Sequence, residues 1–97
     1  MPASVALVGL GPDMHELLHS LLTDEGYAVA RGGAADVALV EAGVGFAARP
    51  VVERLAAPVV LLTTALVEQV PANVRAVVPM PFEVDALLAA VAGTLAG

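Results

Sequence analysis

Two histidines one helical turn apart are the first residues of this sequence whose types and spacing could do chemistry. His15 and His19 enclose Glu16 in the segment HELLH. HExxH on a helix is the zinc-protease motif, in which both imidazoles bind the metal and the glutamate activates water. The sequence has only these two histidines, so a third ligand would have to be a distant carboxylate. We keep a zinc-dependent hydrolase at His15 and His19 as an alternative, but we predict that the chain is not an enzyme and holds no metal.

Glycines after the first predicted strand suggest a second kind of site. Gly9 and Gly11 match the first two glycines of a dinucleotide-binding loop, but Met14 occupies the position of the third. The sequence therefore does not favour a nucleotide, and we predict no cofactor. A pocket for a small ligand at the strand ends near Gly9, Glu41 and Thr63 remains a further alternative.

The charge composition excludes several classes of function. Four arginines are the only basic residues besides the histidines, ten residues are acidic, and the formal net charge is −6. Nucleic acids and anionic membranes require clustered Lys and Arg, so we predict that neither is a partner. The chain has no cysteine, which removes disulfides and thiol chemistry. With no signal peptide and no apolar run of the ~18 residues needed to span a bilayer, we predict a soluble cytoplasmic protein.

Apolar runs alternate with helical patterns along the chain. The predicted strands are residues 5–8, 27–30, 37–40, 59–62 and 74–78. The predicted helices are one opened by Asp13 and ended by Gly26, a short one between Pro50 and Pro58, about one turn at 66–70, and a terminal one. This alternation predicts a parallel α/β sheet. The 97 residues, 59% of them hydrophobic, predict one domain over residues 1–97.

The two longer helices each have an apolar stripe at helical spacing. The stripes are Met14, Leu17, Leu18, Leu21 and Leu22 in the first helix, and Val84, Leu87, Leu88, Val91 and Leu95 in the last. We predict that both stripes face the sheet, which places His15 and His19 on the polar face of the first helix.

Several of these segments together carry a family resemblance. Residues 5–29, VALVGLGPDMHELLHSLLTDEGYAV, closely resemble the first strand, first helix and second strand of bacterial response-regulator receiver domains. The segments ADVALVE, PVVLLT and VVPMPFEVDALL are similar to the third strand, the fourth strand, and the fifth strand with the last helix. The resemblance implies a CheY-like, flavodoxin-like sheet with strand order 2-1-3-4-5. It also implies a cis peptide bond between Met80 and Pro81.

The resemblance implies which residues would carry phosphoryl transfer. Receiver domains phosphorylate an aspartate with the help of Mg²⁺ bound by an acidic pair, and a hydroxyl and a lysine contact the phosphoryl oxygens. Here the acidic pair falls on Gly9 and Leu10, the acceptor on Glu41, the hydroxyl on Thr63 and the lysine on Met80. Of these five positions, only Thr63 has the chemical group that the family uses there. Glu41 can be read as a permanent charge mimic or as an ordinary acid at a strand end.

The spacing of the strands also indicates missing helices. Five residues separate Ala30 from Asp36, whereas a parallel crossover needs about a dozen or more. A link of six Cα steps reaches at most about 20 Å, and the path back along one strand and across two strand positions is about 19 Å. The link would therefore be almost fully extended. The strand at 27–30 is therefore rudimentary, not parallel, or paired with another chain. We predict a minimal receiver-like fold that lacks the second helix and has a reduced fourth helix.

These observations combine into one predicted function. We predict a pseudo-receiver that acts in bacterial signalling without phosphorylation, as a protein–protein interaction or dimerisation module. Because the middle helices are short or absent, strands 37–40 and 59–62 should leave an apolar patch uncovered on their side of the sheet. We predict that a second copy of the chain or another protein covers this patch.

Overall fold

The computed structural model describes residues 3–30, 35–42, 49–64 and 70–96, and its central element is a parallel sheet. Five strands lie in the order β2-β1-β3-β4-β5, and every neighbouring pair is parallel. The strands are β1 (Ser4–Val8), β2 (Ala28–Ala30), β3 (Val37–Ala42), β4 (Val59–Thr63) and β5 (Val74–Pro79). The helices are α1 (Pro12–Asp24), α2 (Arg49–Arg54) and α3 (Val84–Ala96). The predicted fold class and strand order are confirmed.

The structure of β2, a short strand at the edge of the sheet, decides among the three alternatives for the strand predicted at 27–30. It has three residues and pairs parallel with β1, with Ser4 opposite Ala28. Tyr27 does not belong to the strand, because its N–H donates to Leu22 O at the end of α1 (3.0 Å). The rudimentary strand is therefore the correct alternative. The connector at residues 31–34 and the predicted turn at 66–69 lie outside the described residues.

Polar contacts at the start of β3 fix its register against β1. The backbone N–H of Ser4 donates to Asp36 Oδ2 (2.8 Å), and the N–H of Asp36 donates to Ser4 Oγ (3.2 Å) and to Ser4 O (3.0 Å). Each residue thus caps the other where its strand begins. A slip by one residue would turn every apolar side chain of β3 to the other face, so this reciprocal contact supports the observed register.

The helices divide between the two faces of the sheet. The first face is the side covered by α1 and α3, and the second face is the side covered by α2. Buried side chains on the first face are Val5, Leu18, Leu22, Val37, Leu39, Val60, Leu62, Val78, Leu87 and Val91. Those on the second face are Ala6, Ala38, Val40, Ala42, Val52, Val59 and Leu61. Right-handed crossovers produce this division of first and last helices from the middle one.

The apolar stripe of α1 is narrower than its leucine spacing predicts. Leu18 and Leu22 are fully buried, but Leu17 is 49% exposed, so the prediction that Leu17 faces the sheet is wrong. Adjacent helical residues are ~100° apart, which leaves Leu17 at the margin of the stripe. Val84 at the start of α3 is likewise 42% exposed. No helix in the described ranges is long and apolar enough to cross a bilayer.

The second face is better covered than the sequence predicts. Val40, Val59 and Leu61 are fully buried within the chain, and Val52 of α2 packs against this cluster. Three of the sheet residues on this face are alanines, Ala6, Ala38 and Ala42. Because alanine side chains are short, little cover is needed to exclude water from them. The prediction of an uncovered patch on strands 37–40 and 59–62 is therefore wrong.

A side-chain clamp joins the end of α2 to the start of β5. Asn73 Nδ2 donates to the backbone oxygens of Val52 (2.7 Å) and Leu55 (3.2 Å). Carbonyls at the end of a helix lack the usual intrahelical partners, so the side chain of Asn73 supplies a donor to Leu55 O and a second donor to Val52 O, which also accepts from Leu55 N–H (3.1 Å). The carbonyl of Asn73 also accepts from the N–H of Val59 (2.7 Å). One half-buried residue thus ties together α2, β4 and β5.

Adjacent leucines of α1 provide a matched test of the core. Leu18→Ala removes a fully buried side chain and should lower the free energy of unfolding by about 2–5 kcal/mol. Leu17→Ala has the same composition change at a half-exposed site and should cost less than about 1 kcal/mol. Urea unfolding of both variants measures the difference, and equal losses would contradict the observed orientation of α1.

The Asn73 clamp can be tested with an isosteric substitution. Asn73→Asp replaces two N–H donors with a carboxylate that faces two carbonyl oxygens, and should cost about 1–3 kcal/mol at neutral pH. Protonation of the new side chain restores a donor, so its pKa should rise above the ~3.9 of a free aspartate. A raised pKa means stability that is present at low pH and lost as pH rises. The deficit relative to wild type, from urea unfolding, should therefore shrink on acidification; a deficit independent of pH would contradict the clamp.

Candidate functional site

The carboxyl ends of four strands meet at one edge of the sheet. Val8 lies opposite Val40, Glu41 lies opposite Leu62, and Thr63 lies opposite Pro79. This register brings the predicted site positions Gly9, Glu41, Thr63 and Met80 to the same edge. In open α/β sheets, ligands bind in the crevice outside this edge. We call it the carboxyl edge.

Thr63 and Met80 are joined directly at the carboxyl edge. Met80 N–H donates to Thr63 O (2.8 Å), which extends the pairing of β4 and β5 by one residue beyond Pro79. Thr63 is 4% exposed, and the Met80–Pro81 peptide bond is cis, as predicted. In the described residues, every buried side-chain nitrogen or oxygen has a hydrogen-bond partner. No buried polar atom there is left for a ligand to satisfy.

Gly9 and Leu10 form the turn from β1 into α1. Gly9 has φ of 68°, in the left-handed region that side chains disfavour, and a Cβ there would meet no atom within 4 Å. Leu10 is half-buried and packs against the core of the first face. The conformation at position 9 therefore suits a tight turn, and position 10 supplies apolar surface. Neither residue presents a side-chain oxygen to the carboxyl edge.

Glu41 occupies a different place in its strand from the predicted one. β3 continues to Ala42, so Glu41 is the penultimate residue of the strand and not one beyond its end. Val40 and Ala42 pack into the core of the second face, which places Glu41 on the first face by strand alternation. Glu41 is half-buried and follows Val40, the partner of Val8. It brings one carboxylate to the side of the turn at Gly9.

His15 and His19 lie on the exposed side of α1. Their ring centroids are 6.3 Å apart, with an angle of 29° between the planes. In the described part of the chain, no group of three or more His, Cys, Asp or Glu residues is arranged to hold a metal ion. A hydrolytic zinc site needs three protein ligands. Within the described ranges, the HELLH alternative has no third ligand.

Sequence reasoning missed a cleft at the opposite edge of the sheet, where β4 and β5 begin. It has a volume of about 420 Å³ and includes Arg75 of β5 and Gly93 of α3 in its walls. The signal in the sequence was the glycine inside the terminal helix, where glycine costs about 1 kcal/mol relative to alanine. The strand irregularity that places Arg75 has no sequence signal, since it depends on hydrogen-bond register.

Comparison with known proteins gives a clear answer for the fold. No family model matches the sequence, and no curated protein matches it. Solved structures do match at low identity. The TrrA response regulator of Thermotoga maritima, solved with Mg²⁺ and BeF, has 20% identity and a TM-score of 0.74, with 97% of this chain and 99% of that chain covered.

Two further receiver structures cover nearly the full length of both chains. A response regulator receiver protein from Burkholderia phymatum has 19% identity and a TM-score of 0.72, over 99% of this chain and 96% of that one. The BeF3-activated DrrB receiver domain has 17% identity and a TM-score of 0.77, over 100% of both. These TM-scores, over nearly the full length of each chain, show that this chain has the fold of a response-regulator receiver domain.

Proposed function

We propose that this chain is a pseudo-receiver, a receiver-fold module of cytoplasmic bacterial signalling that acts through protein contacts and takes no phosphoryl group. The observation that carries the proposal is the composition of the carboxyl edge. Gly9, Leu10 and Met80 stand where the resemblance implies two acids and a lysine, and their side chains offer a hydrogen atom, an alkyl group and a thioether.

Phosphoryl transfer at the carboxyl edge would lack both of its electrostatic supports. Mg²⁺ requires hard oxygen ligands, commonly one or two carboxylates. Glu41 is the one carboxylate among the five site positions, and it is longer by one methylene than an aspartate. The developing negative charge of the phosphoryl group also needs a positioned cation, and the chain contains no lysine. We infer that the retained Thr63 hydroxyl has a structural role.

The absence of phosphorylation can be measured directly. In ¹⁵N NMR spectra, Mg²⁺ with beryllofluoride should cause no saturable shift at Glu41 or Thr63, because the ligands of the metal are missing. Incubation with acetyl phosphate should add no phosphoryl group to the mass of the protein. TrrA, solved with Mg²⁺ and BeF, is the positive control under identical conditions. Saturable shifts at both residues would overturn the proposal.

A module that takes no phosphoryl group must act by contact, and the edge of β5 limits what kind of contact. Because Met80 N–H points to β4, the nitrogen of the preceding Pro79 points away from the sheet. Proline has no N–H to donate, so this outer edge cannot form a continuous ladder with an added strand. A strand added along β5 would lose a ladder bond at Pro79, and we propose that a partner binds to a face of the sheet instead.

The second face offers the apolar side chains for such a contact. Val77 of β5 and Val51 of α2 are each 46% exposed, and Val77 lies on the second face because Ala76 and Val78 pack into the first. Val77 also stands where the family resemblance places an aromatic residue that moves on activation. We propose that a second copy of the chain covers this region, or failing that another protein, in an isologous or heterologous contact.

The homodimer can be tested by light scattering with charge-matched variants. We expect a dimer at tens of micromolar and at least a tenfold higher dissociation constant for Val77→Asp, since the new carboxylate would be desolvated in the interface. Val84→Asp is the control, because it adds the same charge at a 42% exposed valine in the first turn of α3, where helix polarity favours an acid. A monomeric wild type, or equal effects of both substitutions, would contradict the homodimer.

A further inference from the structure

The cleft at the amino ends of β4 and β5 is separate from every site considered above. Pro58 lies at the start of β4, and Arg75 and Ala76 lie near the start of β5. The opposite wall comes from the second half of α3, with Gly93 and Thr94. The volume of about 420 Å³ falls in the range of about 300–1,000 Å³ typical of small-molecule sites.

A β-bulge determines which side chain of β5 reaches this cleft. Val59 pairs with Val74, and the next residue of β4, Val60, pairs with Ala76. Arg75 is thus an extra residue with no partner in β4. Successive strand residues normally point to opposite faces, yet Arg75 and Ala76 line the same cleft. Bulges redirect side chains in this way and are common beside binding sites.

One polar side chain of the cleft suits an anion. Arg75 is exposed, and no carboxylate in the described ranges forms an ion pair with its guanidinium. Thr94 Oγ1 donates to Ala90 O (2.8 Å), so this hydroxyl has no proton left to donate to a ligand. Asn73 Nδ2 is engaged by two carbonyl oxygens. Arg75 is therefore the group in this cleft that can neutralise a negative charge.

The cleft is open because small residues form its apolar walls. Gly93 lies inside α3, and a Cβ at this position would meet no atom within 4 Å. Ala76 and Ala90 extend the same short-chain surface on β5 and α3. A glycine that no packing contact requires lowers helix stability by about 1 kcal/mol. The open space above it is consistent with a ligand that occupies the position of a side chain.

We propose that this cleft binds a small organic anion, with an apolar body between β5 and α3 and one carboxylate or phosphate on Arg75. The planar guanidinium offers paired N–H donors that fit both kinds of anion. The walls of alanine, proline and glycine exclude water from a body about the size of a single ring. The site does not depend on the proposed pseudo-receiver function, since it lies at the other edge of the sheet.

The test uses three compounds that share a phenyl ring and differ in charge, with benzoate and benzamide matched in size. Benzoate, phenyl phosphate and neutral benzamide are titrated into the full chain, and ¹⁵N NMR follows the amides of Arg75, Ala76, Gly93 and Thr94. We expect saturable shifts with at least one anion and at least tenfold weaker binding of benzamide. The stronger of the two anions identifies carboxylate or phosphate as the preferred group.

Matched variants separate the cleft from general charge effects. Arg75→Gln removes the guanidinium and Gly93→Leu fills the space, and each should raise the dissociation constant at least tenfold. Arg54→Gln, outside the cleft walls, removes the same charge and should change it less than twofold; Gly93→Ala, which keeps most of the space, should retain binding and stabilise α3. Unchanged shifts at Val5 and Leu39 verify that each variant is folded. No saturation, equal binding of benzamide, or equal effects of Arg75→Gln and Arg54→Gln would overturn the proposal.

Discussion

Burial of aliphatic strands on both faces of a parallel sheet is the constraint on which this structure depends. The chain has only three aromatic residues, so Val, Leu and Ala must exclude water from β3 and β4 largely by themselves. Leucines from α1 and α3 cover the first face, whereas the second face places alanines such as Ala38 and Ala42 beside Val40 and Leu61. On that face α2 contributes the buried side chain of Val52, and Leu55 packs beside it. Short alanine side chains thus reduce the amount of helix that the second face needs.

The sequence was sufficient wherever one physical signal decided the outcome. Unbroken apolar runs located β3 and β4, and the alternation with helices determined a parallel sheet. The signal failed where two effects competed. Helical spacing could not show that Leu17 lies beyond the margin of the apolar stripe, because that margin depends on the angle at which α1 meets the sheet. The number of missing residues indicated an uncovered second face, but the volume of each side chain mattered more than the count of helices. The bulge at Arg75 could not be predicted, since backbone hydrogen bonds create it and the neighbouring residues are ordinary for a strand.

The sheet has different backbone geometry and different side chains at the two ends of its strands. At the carboxyl edge, Met80 N–H pairs with Thr63 O beyond Pro79, and the side chains of Gly9, Leu10 and Met80 offer neither a carboxylate nor an amine. At the opposite edge, where β4 and β5 begin, the backbone of β5 is irregular at Arg75 and places the guanidinium beside an open cleft. Binding of a partner protein needs only a stably folded surface. Phosphoryl transfer needs several groups positioned at once, so the loss of one or two removes the advantage of keeping the others.

Backbone conformation and packing act differently at the two residues of the turn between β1 and α1. Gly9 has φ of 68°, a region that costs an ordinary L-amino acid about 1–2 kcal/mol. Aspartate tolerates this region better than most residues, and a Cβ there would meet no atom within 4 Å, so the backbone alone would admit a carboxylate at position 9. Leu10 is constrained by packing, because it contacts the core beneath α1. A carboxylate at this position would be partly desolvated with no nearby lysine. The turn between β1 and α1 is therefore part of the packing of the first face, and an acid in place of Leu10 would lower the stability of the fold.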